Sequence, residues 1–299
     1  MESSRAAVLP TDKRNGRCIL PFTERACWPS GEQVRQLEWL MEESFEFRGY
    51  HIPVRLCLLT GGGPETFEAI SNAHLHSVNA ACGLRPELHV FEVGCGIGRD
   101  AIPLAQILGP DGYYIGVDVI SDSIKWCTAN ISARHPNFQF VHQDISDELH
   151  NPSGAVELRT VRLPADDDWA DLIILQSVFT HMLRDDVAHY LRELARVLRC
   201  RGLIYATVFI IDEEIQRSAR RTNLTPWNLR FAHSTNDGVY INDPDHPTGA
   251  VGYREDVLET LVADAGLEFV GPIRWGAWSG AHPVAFDGQD VAILRRACS

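Results

Sequence analysis

The sequence contains no apolar run approaching the roughly 20 residues that a membrane helix requires. Its clean apolar runs are short, such as 203–211. The first residues, Met-Glu-Ser-Ser-Arg and then Asp12-Lys13-Arg14, hold no apolar core of the kind a secretory signal carries. A cytoplasmic protein is expected, with no membrane partner. Basic charge is also scarce. Twenty-seven Lys and Arg face 40 Asp and Glu, a formal net charge of −13, and no basic run exceeds a pair such as Arg220-Arg221. A chain this acidic repels phosphate backbones on average, so nucleic acid is not an expected partner. The eight cysteines include no Cys-x-x-Cys pair, and the 12 histidines show no ligand spacing beyond His74-Leu75-His76, which reads as structural. No metal is expected, and the scattered cysteines read as reduced, buried thiols.

What is present is enough to fold. Hydrophobic residues make up 45% of the 299 positions and charged residues 22%, which suits one large domain or a domain plus a cap. Residues 1–30 show mixed polarity and no sustained period, as in a loose arm. The stretch 31–66 is ambiguous, with a possible short helix over 33–43 and a turn at Gly61-Gly62-Gly63-Pro64. From Thr66 the pattern becomes regular, and a helical stretch runs through Ala81 to a stop at Gly83.

Strand-like runs at 89–93, 113–117, 138–142, 172–175 and 203–210 then alternate with helical segments at 100–108, 121–133 and 184–198. In the last of these, Val187, Tyr190, Leu191, Leu194, Val197 and Leu198 form one stripe at helical spacing. Asp185 and Asp186 open that helix and Arg196 lies near its end, as the helix dipole favours. Alternation of this kind predicts crossover units and a mostly parallel sheet. A helix over 255–265 and strands over 267–274 and 290–294 follow. The stretch 212–252 interrupts the alternation and is too long for a turn, as lids and binding elements often are.

The most informative segment is Phe91-Glu92-Val93-Gly94-Cys95-Gly96-Ile97-Gly98-Arg99. It follows a strand and opens a helix, where backbone N–H groups face a ligand. A dinucleotide fingerprint would place its third glycine at position 99, which is arginine here. Asp118 ends the second strand, twenty residues after Gly98, where an acid can accept both hydroxyls of a ribose. Asp144 ends the third strand. The glycine loop and both acids thus belong to the carboxyl edge of the sheet, where open α/β folds bind ligands.

Together with Val197-Leu198-Arg199-Cys200-Arg201-Gly202 before the fifth strand, these motifs resemble the class I S-adenosylmethionine-dependent methyltransferases. Cys200 and Arg201 replace the proline and first glycine usual in that turn. The likeness is good over about 67–210 and looser over 253–296, and Ser177-Val178-Phe179-Thr180-His181-Met182 is similar to bacterial members acting on small molecules or sugars. The resemblance implies a Rossmann-like, doubly wound, seven-stranded α/β sheet, mostly parallel with the last strand antiparallel. An N-terminal arm and cap (1–66) would precede the methyltransferase domain (67–299), and the insert 212–252 would be a lid on the acceptor site.

By the same resemblance the cofactor is S-adenosyl-L-methionine. Glu92, Gly94, Gly96 and Gly98 would line its methionine and ribose, Asp118 would hold the ribose hydroxyls, and Val119 or Ile120 would pack on the adenine. Asp144 would contact the adenine amino group, and Gln176 and Ser177 would lie near the transfer site. The expected acceptor is a small molecule, with a hydroxyl of a metabolite or sugar as first choice. A nitrogen or carbon acceptor, or a binding protein without catalysis, is the alternative. A nicotinamide oxidoreductase would share the sheet and Asp118, but the glycine spacing and Glu92 count against it.

Methyl transfer from an activated donor asks the protein chiefly to align the nucleophile and exclude water. A hydroxyl acceptor also benefits from a base, and His181, just after the fourth strand, is the candidate. Its alternative role is packing or helix capping. Gln176 stands where metal-dependent members place an acid, which argues against a divalent metal. His233, Asp243 and His246 in the insert could reach an acceptor. Trp227, Phe231 and Tyr240 would either line its pocket or anchor the insert, and Trp275 and Trp278 would wall the site or pack at the sheet's end.

Overall fold

A computed structural model describes residues 43–222 and 228–297. The arm, the possible helix over 33–43, Trp227, Cys18, Cys27 and Cys298 lie outside them. The described chain opens with a hairpin, β1 (Ser44–Phe47) and β2 (Tyr50–Pro53), followed by the short α1 (Val54–Cys57) and the long α2 (Pro64–Cys82). Pro64 starts α2 at the one place where its missing N–H costs nothing.

The body is a seven-stranded sheet in the order β11-β12-β7-β6-β3-β4-β5. Its strands are β3 (His89–Val93), β4 (Tyr113–Asp118), β5 (Phe138–His142), β6 (Ala170–Leu175), β7 (Leu198–Val208), β11 (Leu267–Phe269) and β12 (Asp290–Arg296). β3 through β7 pair in parallel, and β12 runs antiparallel to both β7 and β11. Strand alternation sorts the core into two layers. Phe91, Val93, Ile173, Leu175 and Ala206 face α5 (Arg184–Val197) and α7 (Glu255–Asp264). Val90, Tyr114, Ile174, Tyr205 and Ile293 face α2, α3 (Ala101–Leu104), α4 (Ser121–Cys127) and the hairpin.

The α5 stripe is buried as its spacing predicts. Two other helices are shorter than expected. The segment over 100–108 is regular only in α3, whose turn carries Pro103, and that over 121–133 passes from α4 into a π-turn at Thr128–Ser132. The strand expected over 267–274 is cut to β11, while β7 begins five residues early, at Leu198.

The crossover from β5 to β6 has no α-helix, only a 3-10 turn at Leu158–Thr160. A cleft of about 500 Å³ lined by Ile115, Gln139, Arg162 and Trp169 among others lies beside it, and none of the expected site residues lines that cleft. The insert holds α6 (Glu213–Thr222) and a small antiparallel sheet, β8 (His233–Ser234), β9 (Val239–Ile241) and β10 (Val251–Tyr253). It has a core of its own, in which Phe231 and Phe209 pack on Trp278 at ring distances of 5.4 and 5.0 Å.

Candidate active site

The strand order reverses between the parallel neighbours β3 and β6. One leads to β4 on one side and the other to β7 on the opposite side, which opens a crevice at their carboxyl ends. The register Val93↔Leu175 sets Gly94 and Gln176 next to each other there. Gly94 has φ 76°, and its N–H and that of Cys95 both donate to the carbonyl of Val117, at 2.8 and 3.1 Å. Gly96 has φ 52°, and its N–H donates to Asp118 Oδ2 at 2.7 Å. A Cβ at Gly94 would come within 2.8 Å of the Val178 side chain, and one at Gly96 within 2.6 Å of Thr60 Cγ2. The loop is therefore walled from two sides, by the segment after β6 and by the segment before α2.

Asp118 is buried, and its other oxygen accepts the N–H of Ile120 at 2.8 Å. Burial pushes its carboxyl above the ordinary value in spite of these donors. Glu92 is buried below the loop, where the Tyr114 hydroxyl donates to it. Burial first, then the negative charge of Asp100, holds the Glu92 carboxyl well above the ordinary range. Asp100 is itself bonded to His74 Nδ1 at 3.0 Å, which confirms the structural reading of that histidine.

Gln176 is half-buried, and its Nε2 is buried without a hydrogen-bond partner. Ser177 is held at φ 58°, its N–H on Thr207 Oγ1 at 2.7 Å and its hydroxyl accepting from Gln289 Nε2 at 2.9 Å. Val119 is half-buried, and its carbonyl lies 3.1 Å from His142 Nε2. Asp144 is exposed and engaged by its own loop, accepting from Asn151 Nδ2 at 3.0 Å and the Ala155 N–H at 3.4 Å. The Asn151 bond holds its carboxyl below the ordinary value.

His181 lies in a 3-10 turn, Phe179–His181, between β6 and α5. Its Nδ1 is 3.0 Å from the carbonyl of Thr248. A carbonyl only accepts, so Nδ1 carries the proton and a neutral His181 keeps its lone pair on Nε2. Burial lowers its proton affinity, and the nearby His150 acts in the same direction. Glu148 ties the loop after β5 to the insert, with His246 Nδ1 at 2.8 Å and Thr248 Oγ1 at 3.3 Å. Three segments distant in sequence thus meet beside Asp118: the loop after β5, the turn after β6 and the end of the insert.

With this geometry in place, residues 90–202 match the family model described as a methyltransferase domain. Residues 90–202 thus form a methyltransferase domain. The chain is 25% identical to the arsenite methyltransferase of Aquipseudomonas alcaligenes, over 59% of this chain and 49% of that protein. It is 24% identical to a tRNA N(3)-cytidine methyltransferase of Bos taurus, over 69% of this chain and 50% of that protein. The chain thus spans about half the length of these curated relatives. In fold it is similar to the phosphoethanolamine N-methyltransferase 1 of Haemonchus contortus, solved with phosphoethanolamine and S-adenosylhomocysteine. That likeness has a TM-score of 0.50 at 14% identity and covers 78% of this chain and 44% of the other.

The site suits S-adenosylmethionine on two counts. Gln176, set next to Gly94 by the strand register, has a buried side-chain Nε2 without a partner, and the left-handed backbone at Gly94 and Gly96 keeps side-chain bulk out of a space that Val178 and Thr60 already crowd. Of the other candidates, Phe231 is fully buried and Tyr240 packs on the same insert core, so both anchor the insert. Trp278 is buried and donates from Nε1 to Asp290 at 2.9 Å, a packing role, while Trp275 stacks on His282. His233 is exposed on β8, and Asp243 is partly exposed in the insert.

Asp171 accepts from the His89 N–H and from Arg199, and Asp167 and Asp168 form surface ion pairs, all structural. Cys57, Cys95 and Cys127 are buried free thiols, whereas Cys200 is exposed. No described helix is long and apolar enough to cross a membrane. Sequence reasoning missed Thr60, His150 and Thr248, because these reach the site through tertiary contacts and carry no motif of their own.

Proposed function

We propose that this methyltransferase moves a methyl group to a small-molecule acceptor, with a hydroxyl oxygen of a metabolite or sugar as the receiving atom. S-adenosyl-L-methionine supplies a methyl group already activated on sulfur. Glu92, Gly94, Gly96 and Gly98 line its methionine and ribose, Asp118 takes the ribose hydroxyls, Val119 packs on the adenine, and Gln176 fills the edge nearest the transfer. Asp144 serves the adenine once it turns from Asn151. Residues 1–66 act as an arm and cap on the domain 67–299, and the insert 212–252 closes the acceptor side. Thr60 against Gly96 and Thr248 against His181 support that division.

One observation carries the oxygen acceptor. The Thr248 carbonyl fixes His181 with its lone pair on Nε2, the form a general base needs. The net charge of −13 favours a small acceptor over a nucleic acid. The first test is calorimetric titration with S-adenosylmethionine, S-adenosylhomocysteine and NAD, on wild type and Asp118→Ala. Binding of both adenosyl ligands, weakened at least tenfold by the substitution, is the expected result. NAD binding in their place overturns the reading.

An acceptor screen with His181→Ala follows. Turnover falling by roughly 10²–10⁴ with cofactor affinity kept supports the base. Unchanged turnover moves the acceptor to nitrogen or carbon, and no turnover with any acceptor leaves a binding protein.

A further inference from the structure

Beside His181 lies a second imidazole that no motif marks. His150 is in the loop after β5, its ring centroid 6.5 Å from that of His181 and nearly perpendicular to it. Asp147 organises that loop. Its Oδ1 takes the backbone N–H groups of Leu149 and His150, at 3.1 and 2.7 Å, and lies 3.0 Å from His150 Nδ1. Backbone bonds in both directions between Asp147 and Asn151, each 3.0 Å, close the turn. The Glu148 contacts with His246 and Thr248 then fix the same loop to the strand of chain whose carbonyl holds His181. Both rings are thus anchored through Nδ1, one by a carboxylate and one by a neutral carbonyl.

We propose that His150 is a positioning residue of the transfer site, an imidazole that Asp147 holds beside the ring of His181. This rests on the reading of His181 as the base. The two anchors divide the labour. A carboxylate partner favours the charged imidazole, whereas around His181 burial outweighs the weaker opposite pull of the Thr248 carbonyl and favours the neutral ring. In agreement, the Asp147 bond raises the proton affinity of His150, while burial and the His150 charge lower that of His181.

The other groups around the pair are Asp118 at the end of β4, Tyr190 on α5, and the Glu148–His246 pair joining loop and insert. Asp118 also favours a charged His150. The consequence is a base that holds a proton less tightly than a free imidazole, next to a ring that holds one more tightly and, when charged, stabilises negative charge on the acceptor oxygen as its proton leaves for His181 Nε2. Such an arrangement suits an acidic hydroxyl, phenolic or enolic, better than a plain alcohol, because a weak base matches an acceptor that releases its proton readily.

Histidine-ring NMR titration of the full chain tests this, with resonances assigned through His150→Gln and His181→Asn. In wild type His150 should titrate above the ordinary value of about 6.5 and His181 below it. In His150→Gln the His181 midpoint should rise by roughly half a unit to two units, the range Coulomb's law gives for a unit charge at this separation. Asp147→Asn should lower the His150 midpoint, and because it also removes a carboxylate that favours a charged His181, the His181 midpoint should rise less than in His150→Gln, or fall. A His181 midpoint unmoved in His150→Gln overturns the proposal and leaves His150 a packing group.

S-adenosylmethionine titration of the same samples separates the two readings. Wild type that binds no cofactor defeats the proposed function, whereas intact binding with an unmoved His181 defeats only the role of His150.

Discussion

Arg201 shows how a single residue can depart from a family pattern and leave a measurable trace. It has φ 71°, in the left-handed region, at the turn where the methyltransferase pattern has glycine. A side chain there costs about 1–2 kcal/mol, part of which glycine returns through the greater freedom of its unfolded chain. Arg201→Gly should therefore stabilise the protein by about 0.5–1 kcal/mol, read as a higher midpoint in urea at unchanged slope. Destabilisation would mean that the exposed Arg201 side chain makes contacts worth more than the strain.

Legibility at this scale depends on whether a role is local. Gly94, Gly96 and Asp118 were legible because each is fixed by its place at a strand end, and the structure brings all three together. Asp144 has the right place too, but its carboxylate answers to Asn151 and Ala155, seven and eleven residues on. That choice is made by loop packing, which leaves no spacing to read. His181 was legible as a candidate. Its tautomer was not, since the Thr248 carbonyl that sets it is 67 positions away.

The glycine loop and the segment before α2 act as a pair of elements. Gly96 must tolerate φ 52° with Thr60 Cγ2 within 2.6 Å of where a Cβ would stand. Gly96→Ala should cost about 1–2 kcal/mol from backbone strain and displace Thr60, weakening S-adenosylmethionine binding by calorimetry. Thr60→Ser deletes the clashing methyl, so the double variant should recover part of the loss but not the strain. Additive effects of the two substitutions would sink the idea that this contact couples cap and loop.

Strands were read more accurately than helices because a buried parallel strand is a continuous apolar run whose limits are local. The shortened helices have identifiable causes. Pro103 has no N–H for the helix ladder, and the turn after Cys127 widens where Ile131 backs onto Gly98. The small sheet of the insert escaped notice, since strands of two or three residues carry no period.

Buried acids make the stability of the whole molecule depend on pH in a definite direction. Glu92 ionises well above its ordinary value of 4.5 in the folded chain, and Asp118 and Asp290 are also raised, in each case chiefly by burial. Above about 4.5 the unfolded Glu92 has released a proton that the folded one keeps, so the folded state binds more protons. Its contribution is fully present below that point and is lost as pH rises through the folded value.

Asp147 and Glu193, lowered by His150 and Arg196, act in the opposite sense, and their contribution disappears only in acid. Thermal unfolding midpoints should accordingly decline as pH rises from about 4.5, the unfolded value of Glu92. Glu92→Gln keeps an oxygen for the Tyr114 hydroxyl and has no proton to lose. It should raise the midpoint at neutral pH and make the decline shallower, with the remaining slope due to Asp118 and Asp290. Parallel curves for the two proteins would show that Glu92 does not retain its proton on folding. The acidity below the glycine loop would then have to be offset by a group other than Tyr114, and Arg99 is a cation that acts on it.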